Sequence, residues 1–269
     1  MTGRELLAFY VEAGVDAALD EMPVDRFAER PAAENEAPAV SVAPRPDPRP
    51  PAPIIPRPQA VAPPSPDVAV MAARETAKSA ASLEALRAML LGFDGCALKL
   101  TAKQLVFADG NPQARVMFVG EAPGREEDIE GLPFVGPSGR LLDLMMAAIK
   151  LDRTSAYIAN IIPWRPPGNR TPTPQEAQIC LPFMRRQIEL ADPDVLVCLG
   201  GPAAQALLGA REGILKTRGR WFTFHTGTRE IRAIATLHPA YLLRQPLQKR
   251  LAWRDFLAIK QALAAELAT

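Results

Sequence analysis

Arg115-Val-Met-Phe-Val-Gly120-Glu121-Ala122-Pro123-Gly124 decides the fold. Val116 to Val119 are apolar without alternation, the pattern of a strand covered on both faces. Two glycines and a proline then force a tight backbone turn at its carboxyl end. Strand-like runs recur at Ala156–Ile162, Asp194–Gly200 and Ile231–Leu237. Helical patterns lie between and after them, at Ser138–Lys150, Thr173–Ala191, Pro202–Leu208 and about Gln248–Leu267. Thr173 and Glu176 form a capping-box pattern at the start of the second of these. Strands alternating with helices argue for an α/β domain, a mainly parallel sheet with helices on both faces. Ligands of such sheets bind at the carboxyl ends of the strands.

Working outward, a helix is expected from about Ser82 to Leu91. Before it, 13 of the chain's 28 prolines fall between Pro31 and Pro66. Proline at that density removes donors and blocks both helix and sheet. The reading is therefore a disordered Pro/Ala-rich linker over residues 26–81, with the folded domain at 82–269. Residues 5–20 place Leu6, Leu7, Tyr10, Val11, Val15 and Leu19 near helical spacing. They predict a short amphipathic helix within residues 1–25, either a protein-binding segment or an inert extension.

Composition narrows the function classes. A net charge of +1 predicts no overall attraction to DNA, so any contact must come from a local basic patch. Candidates are Lys216, Arg218, Arg220, Arg244, Lys249, Arg250 and Arg254. Cys96, Cys180 and Cys198 are too few and too scattered for a disulfide framework. The start of the chain lacks the apolar core of a signal peptide, and no run is long enough to span a membrane. The expected location is the cytoplasm, with the chromosome.

Four loops carry chemistry. The turn at Gly120–Gly124 lets main-chain donors approach a planar or anionic ligand. In Leu132-Pro-Phe134-Val-Gly136-Pro137-Ser138-Gly139, flanking Pro and Gly hold Phe134 as a stacking surface or, more simply, as a cover over the core. Asn160 ends an apolar strand, so its amide needs a partner, whether a base edge or neighbouring backbone. The polar loop Arg165-Pro-Pro-Gly-Asn169-Arg170-Thr-Pro172 stiffens Asn169 and Arg170 ahead of a capped helix. His238, in His238-Pro239-Ala240-Tyr241-Leu-Leu-Arg244, is a group that can meet charge developing on a leaving base near pH 7. His225 reads as surface. The motifs contain no carboxylate–histidine cluster for a divalent metal.

Taken in this order, the four loops resemble those of the type-4 (iron–sulfur) uracil-DNA glycosylases, over roughly Phe93 to Leu263. The resemblance implies a three-layer α/β/α fold that hydrolyses the N-glycosidic bond of uracil in DNA. It implies that Phe134 stacks on the flipped base and that Asn160 reads its edge. Ala122 stands where other branches of that superfamily carry Asp or Asn. Glu121 and Glu127 become the site's acids, Asn169 a further active-site group, and His238 the partner of a uracil oxygen. Pro137, Ser138, Arg170, Pro239, Tyr241 and Arg244 are placed against DNA, with Pro239 to Leu243 as the wedge that replaces the extruded base. Which carboxylate activates water stays open.

The resemblance also implies a [4Fe–4S] cluster on four cysteines, and here the chain departs. Cys96 and Cys180 match two ligand positions, while Phe93 and Trp164 occupy the other two. Neither aromatic can ligate iron, so no cofactor is expected, and the two rings are expected to fill the space. Cys198 reads as core. The expectation is a monomeric glycosylase acting on uracil-containing DNA. The alternatives are a lesion-binding module without turnover, or a glycosylase for another deaminated base.

Overall fold

The computed structural model describes residues 66–265, so the expected helix within residues 1–25 and the linker up to residue 65 lie outside the described residues. The first described element is a helix within the segment expected to be linker. Helix α1 spans Pro66–Ser79, and Ala69, Ala73, Ala77 and Ala80 form a buried stripe along and just beyond it. Proline is tolerated in a first helical turn, where its missing N–H has no intrahelical partner. Alanine supplies both helix propensity and close approach. The composition of the preceding segment masked this signal, and the boundary near residue 82 is corrected accordingly.

Helices α2 (Leu83–Gly92) and α3 (Leu98–Thr101) follow. The Ser82 hydroxyl caps α2 by accepting from Ala85 N–H at 3.2 Å. The chain then forms β1 (Asp109–Gly110), β2 (Val116–Gly120), α4 (Arg125–Glu130), α5 (Pro137–Ala148) and β3 (Tyr157–Asn160). Next come α6 (Pro174–Ala191), β4 (Val195–Leu199), α7 (Gly201–Leu208), α8 (Ile214–Thr217), β5 (Trp221–His225) and β6 (Glu230–Thr236). Helices α9 (Pro239–Arg244) and α10 (Lys249–Ala265) complete the described residues. The expected Thr173–Glu176 capping box opens α6: Thr173 Oγ1 accepts from Glu176 N–H, and Glu176 returns an oxygen to Thr173 N–H.

The six strands are ordered β1-β3-β2-β4-β6-β5. β3, β2, β4 and β6 are mutually parallel, as read from sequence, and β1 and β5 are antiparallel edges. Side chains alternate between two cores. Met117, Val119, Leu196, Cys198 and Ala233 face one side with α1, α2, α6 and α7. Val116, Phe118, Val195, Val197 and Ile234 face the other with α5 and α10. The result is the three-layer α/β/α arrangement. Among the described residues, no helix is long and apolar enough to cross a membrane.

Helix α1 packs on α6, and beyond it Arg186 donates from Nε and Nη2 to the Ala80 carbonyl at 3.0 and 2.7 Å. Four buried methyl groups at about 0.8 kcal/mol each contribute about 3 kcal/mol. Deleting residues 1–81 should therefore lower Tm by roughly 6–12 °C relative to a chain lacking residues 1–59. Equal melting temperatures for the two truncations would show that α1 adds nothing to the fold.

Candidate active site

The chain passes from β2 to β3 on one side and then crosses back past β2 to β4 on the other, and a crevice opens at the carboxyl ends of these central strands. The cavity there has a volume of about 590 Å³. Twelve of the thirteen site residues expected from sequence line it, drawn from the ends of β2, β3 and β6 and the loops and helix starts that follow them; the exception is Pro239.

The floor is built over Gly120. In the sheet register Gly120 lies opposite Asn160. A Cβ added to Gly120 would meet Asn160 Oδ1 at 2.4 Å and Phe134 Cζ at 2.6 Å. Only a residue without a side chain lets the amide and the ring converge there. Asn160 is buried, and its Oδ1 has no hydrogen-bond partner among the described residues. An unpartnered buried acceptor costs about 1–3 kcal/mol. A ligand that donates an N–H removes that cost. Phe134 holds a left-handed backbone conformation, φ 56°, which an L-residue adopts only when its surroundings enforce it.

His238 follows β6, and its ring lies 5.6 Å from the Phe134 ring, centroid to centroid. Its Nδ1 accepts from Ala240 N–H at 3.1 Å, capping α9. That bond assigns the proton of the neutral ring to Nε2, leaving Nε2–H as the remaining donor. Burial, helped by the Arg244 charge, pushes the imidazole down to about 4. His238 is thus a neutral hydrogen-bond donor at pH 7, although one edge stays open to the cavity.

The two expected acids are held differently. Glu121 is half-buried directly after β2, and burial raises its carboxyl above the ordinary range. Glu127 spends its carboxylate on the backbone. Its Oε1 accepts from Val135 and Gly136 N–H at 3.1 and 3.0 Å, and its Oε2 accepts from Gly124 N–H at 3.0 Å. Glu127 is buried, and so is its neighbour Asp128.

Asp128 accepts from Lys103 N–H at 2.8 Å and approaches Arg165 at 3.8 Å. Arg165 donates from Nε to Asn169 Oδ1 at 2.7 Å. Asn169 is thereby held in its own left-handed conformation, φ 55°. Sequence reasoning missed Asp128 and Arg165, whose only signal was proximity to the expected loops. Arg170 reaches the cavity, but its fork pairs with Glu176 at 2.9 and 2.6 Å.

At the rim, Pro137 and Arg244 are exposed, and Ser138 and Tyr241 are half-buried. Pro239 was expected against DNA. Instead it is buried as the first residue of α9, where its fixed φ suits the helix start. Leu242 is buried as well, so the exposed apolar tip of this segment is Leu243. Arg218 leaves the basic patch: it pairs with buried Asp255 and donates to Leu251 O. Arg220 pairs with Glu212 at 2.6 Å. His225 is exposed at the end of β5, as expected.

The region expected to have lost its iron cluster holds Cys96 and Cys180, both buried free thiols with Sγ atoms 3.9 Å apart. Phe93 packs edge-on to Phe183 at 5.0 Å between centroids, and Trp164 is buried in the same core. A four-iron cluster ordinarily takes four thiolates. Two thiols among packed aromatic rings do not fit it. Cys198 lies in β4, and burial pushes its thiol far up.

Fold and pocket together define a class: a mainly parallel α/β sheet whose carboxyl-end pocket gathers an aromatic ring, a buried amide and a histidine. Comparison with known proteins makes the class specific. Residues 107–257 match the family described as the uracil DNA glycosylase superfamily. The type-4 uracil-DNA glycosylase of Archaeoglobus fulgidus is 40% identical over 165 residues, 60% of this chain and 83% of that protein. That of Thermotoga maritima is 43% identical over 150 residues, 55% of this chain and 77% of its own. That of Saccharolobus solfataricus is 38% identical over 176 residues, 64% and 82% of the two chains. The chain belongs to the uracil DNA glycosylase superfamily, alongside its type-4 members.

Proposed function

We propose that this protein hydrolyses the N-glycosidic bond of uracil in DNA, leaving an abasic site. The carrying observation is the Asn160 amide oxygen, buried without a partner among the described residues, beside Phe134 and over Gly120. Uracil satisfies it: N3–H donates to Oδ1, and O4 accepts from the same amide. Cytosine presents an acceptor at N3 and a donor at C4, the reverse pattern. The base must leave the stack to reach the pocket, at a cost of a few kcal/mol, and exposed Leu243 would occupy the vacated space. Arg244 would meet a phosphate. Phe134 supports the ring, and Nε2–H of His238 faces O2 as the departing base gathers negative charge.

Of the two acids, Glu121 is the better activator of water. Its carboxyl, raised by burial, lies closer to neutrality, and among the described residues its oxygens accept no hydrogen bond from the protein. Both Glu127 oxygens are occupied. The proposal describes a monomer working on chromosomal DNA in the cytoplasm. It is tested by incubating purified protein with a uracil-containing oligonucleotide and cleaving with alkali. A product band is expected; none above background, with a control glycosylase working, would reject the activity in favour of a binding module.

We also propose that no [4Fe–4S] cluster forms, because two of its ligand positions are Phe93 and Trp164 and both are packed. Iron and sulfide determination on anaerobically purified protein should find far fewer than the roughly four irons per chain that such a centre needs. A full complement would show that other groups complete the site.

A further inference from the structure

We infer that Arg153, which does not line the cavity, is the positioning residue that sets the uracil-stacking ring of Phe134; the inference rests on the proposed function. Arg153 lies in the connection between α5 and β3. Its guanidinium donates to two consecutive carbonyls of the stacking loop, Pro133 O at 3.2 Å and Phe134 O. The remaining donors are committed to carboxylates. Nε reaches Asp143 Oδ1 on α5 at 3.0 Å, and Nη1 reaches Asp109 Oδ2 on β1 at 2.5 Å. One planar fork therefore ties the loop to a helix and an edge strand.

Phe134 needs such a hold. A non-glycine residue in the left-handed region costs of order 1–3 kcal/mol and persists only when neighbours over-determine it. Here the constraint is two-sided. From above, α5 presses on the Phe134 carbonyl: a Cβ added to Gly139 would sit 1.5 Å from that oxygen. From the side, Arg153 captures the same oxygen. The carbonyl direction fixes the peptide plane, and the plane fixes where the ring lies relative to Gly120, Asn160 and His238. The two-residue strand β1 carries Asp109 to the guanidinium. Lysine would not substitute, since a single ammonium cannot bond four acceptors in one plane.

The test uses the full chain and three readouts: single-turnover excision, calorimetric affinity for free uracil, and affinity for DNA carrying a tetrahydrofuran abasic analogue. Arg153→Ala should slow excision by about 30-fold, towards the 10²-fold scale of a 1 Å misplacement. Affinity for uracil should weaken by about the same factor, while affinity for the abasic DNA stays within about twofold, because backbone contacts do not pass through Phe134. Arg153→Lys should fall between, and Asp143→Asn should lose less than Arg153→Ala. Excision and uracil affinity both within about twofold of wild type in Arg153→Ala would overturn the inference. So would a parallel loss of all three readouts, which marks a residue needed only for folding. If Arg153→Ala does not fold, Arg153→Lys is judged by the same ratios. A wild type that binds uracil without cleaving would sink the proposed activity, and the calorimetric comparison would still decide this point.

Discussion

His238→Ala should lower single-turnover uracil excision by about 10²–10³-fold, the scale of removing one preorganised donor from a developing anion. Three observations set that expectation. The ring lies against Phe134 at the pocket floor, its Nδ1 is spent on Ala240 N–H, and burial holds it neutral with its group pushed down to about 4. A neutral imidazole already aimed by its own helix cap needs no reorganisation as the base departs. The pH dependence follows. His238 does not change charge between pH 5 and 8, so it imposes no step on the rate there. An acid limb is expected from Glu121, whose carboxyl burial raises above its ordinary range. For stability the sign is that of a depressed base. The unfolded chain binds the His238 proton more readily, so stability is full above the ordinary 6.5 and is lost as pH falls towards about 4. Excision by His238→Ala within a few-fold of wild type would remove this residue from the chemistry.

The parts of the fold legible in sequence were those with strong, unshared signals. The parallel strands were visible because burial on both faces makes them uniformly apolar, as in Val195–Leu199. The edge strands were not: Asp109–Gly110 is too short to show a period, and Trp221–His225 is antiparallel with one face open. Helix α1 was hidden because alanine reads as linker when prolines precede it, and its partner surface on α6 lies some hundred residues away in sequence. At the site, residue types at strand ends and in the loop before α5 pointed to Asn160, His238 and Phe134, which line one pocket. The braces were invisible for a physical reason. Arg153, Asp109, Asp128 and Arg165 act on backbone or on other side chains, and a single sequence does not record such pairings. Pro239 shows the converse limit, because a motif gives neighbours without saying which of them face outward.

Glu127→Ala should cost at least about 10²-fold in excision, the scale of misplacing the reacting groups by 1 Å. It should also destabilise the fold by on the order of 5 kcal/mol, since each of three charge-assisted bonds contributes about 1.5–3. For a domain of this size that corresponds to roughly 10–20 °C in Tm. The double effect is the signature of what the structure shows. One carboxylate joins Gly124 of the first loop to Val135 and Gly136 of the second, the loops that carry Glu121 and Phe134. A residue acting only as a general base would behave otherwise: Glu127→Gln would abolish its chemistry and leave the melting temperature intact. As a staple, Glu127→Gln keeps one carbonyl oxygen for Val135 and Gly136 but turns an NH₂ towards Gly124 N–H, donor against donor. Rate and stability should then fall together, each by less than in Glu127→Ala. Loss of rate at unchanged Tm in Glu127→Gln would return Glu127 to the role of water activator and take that role from Glu121.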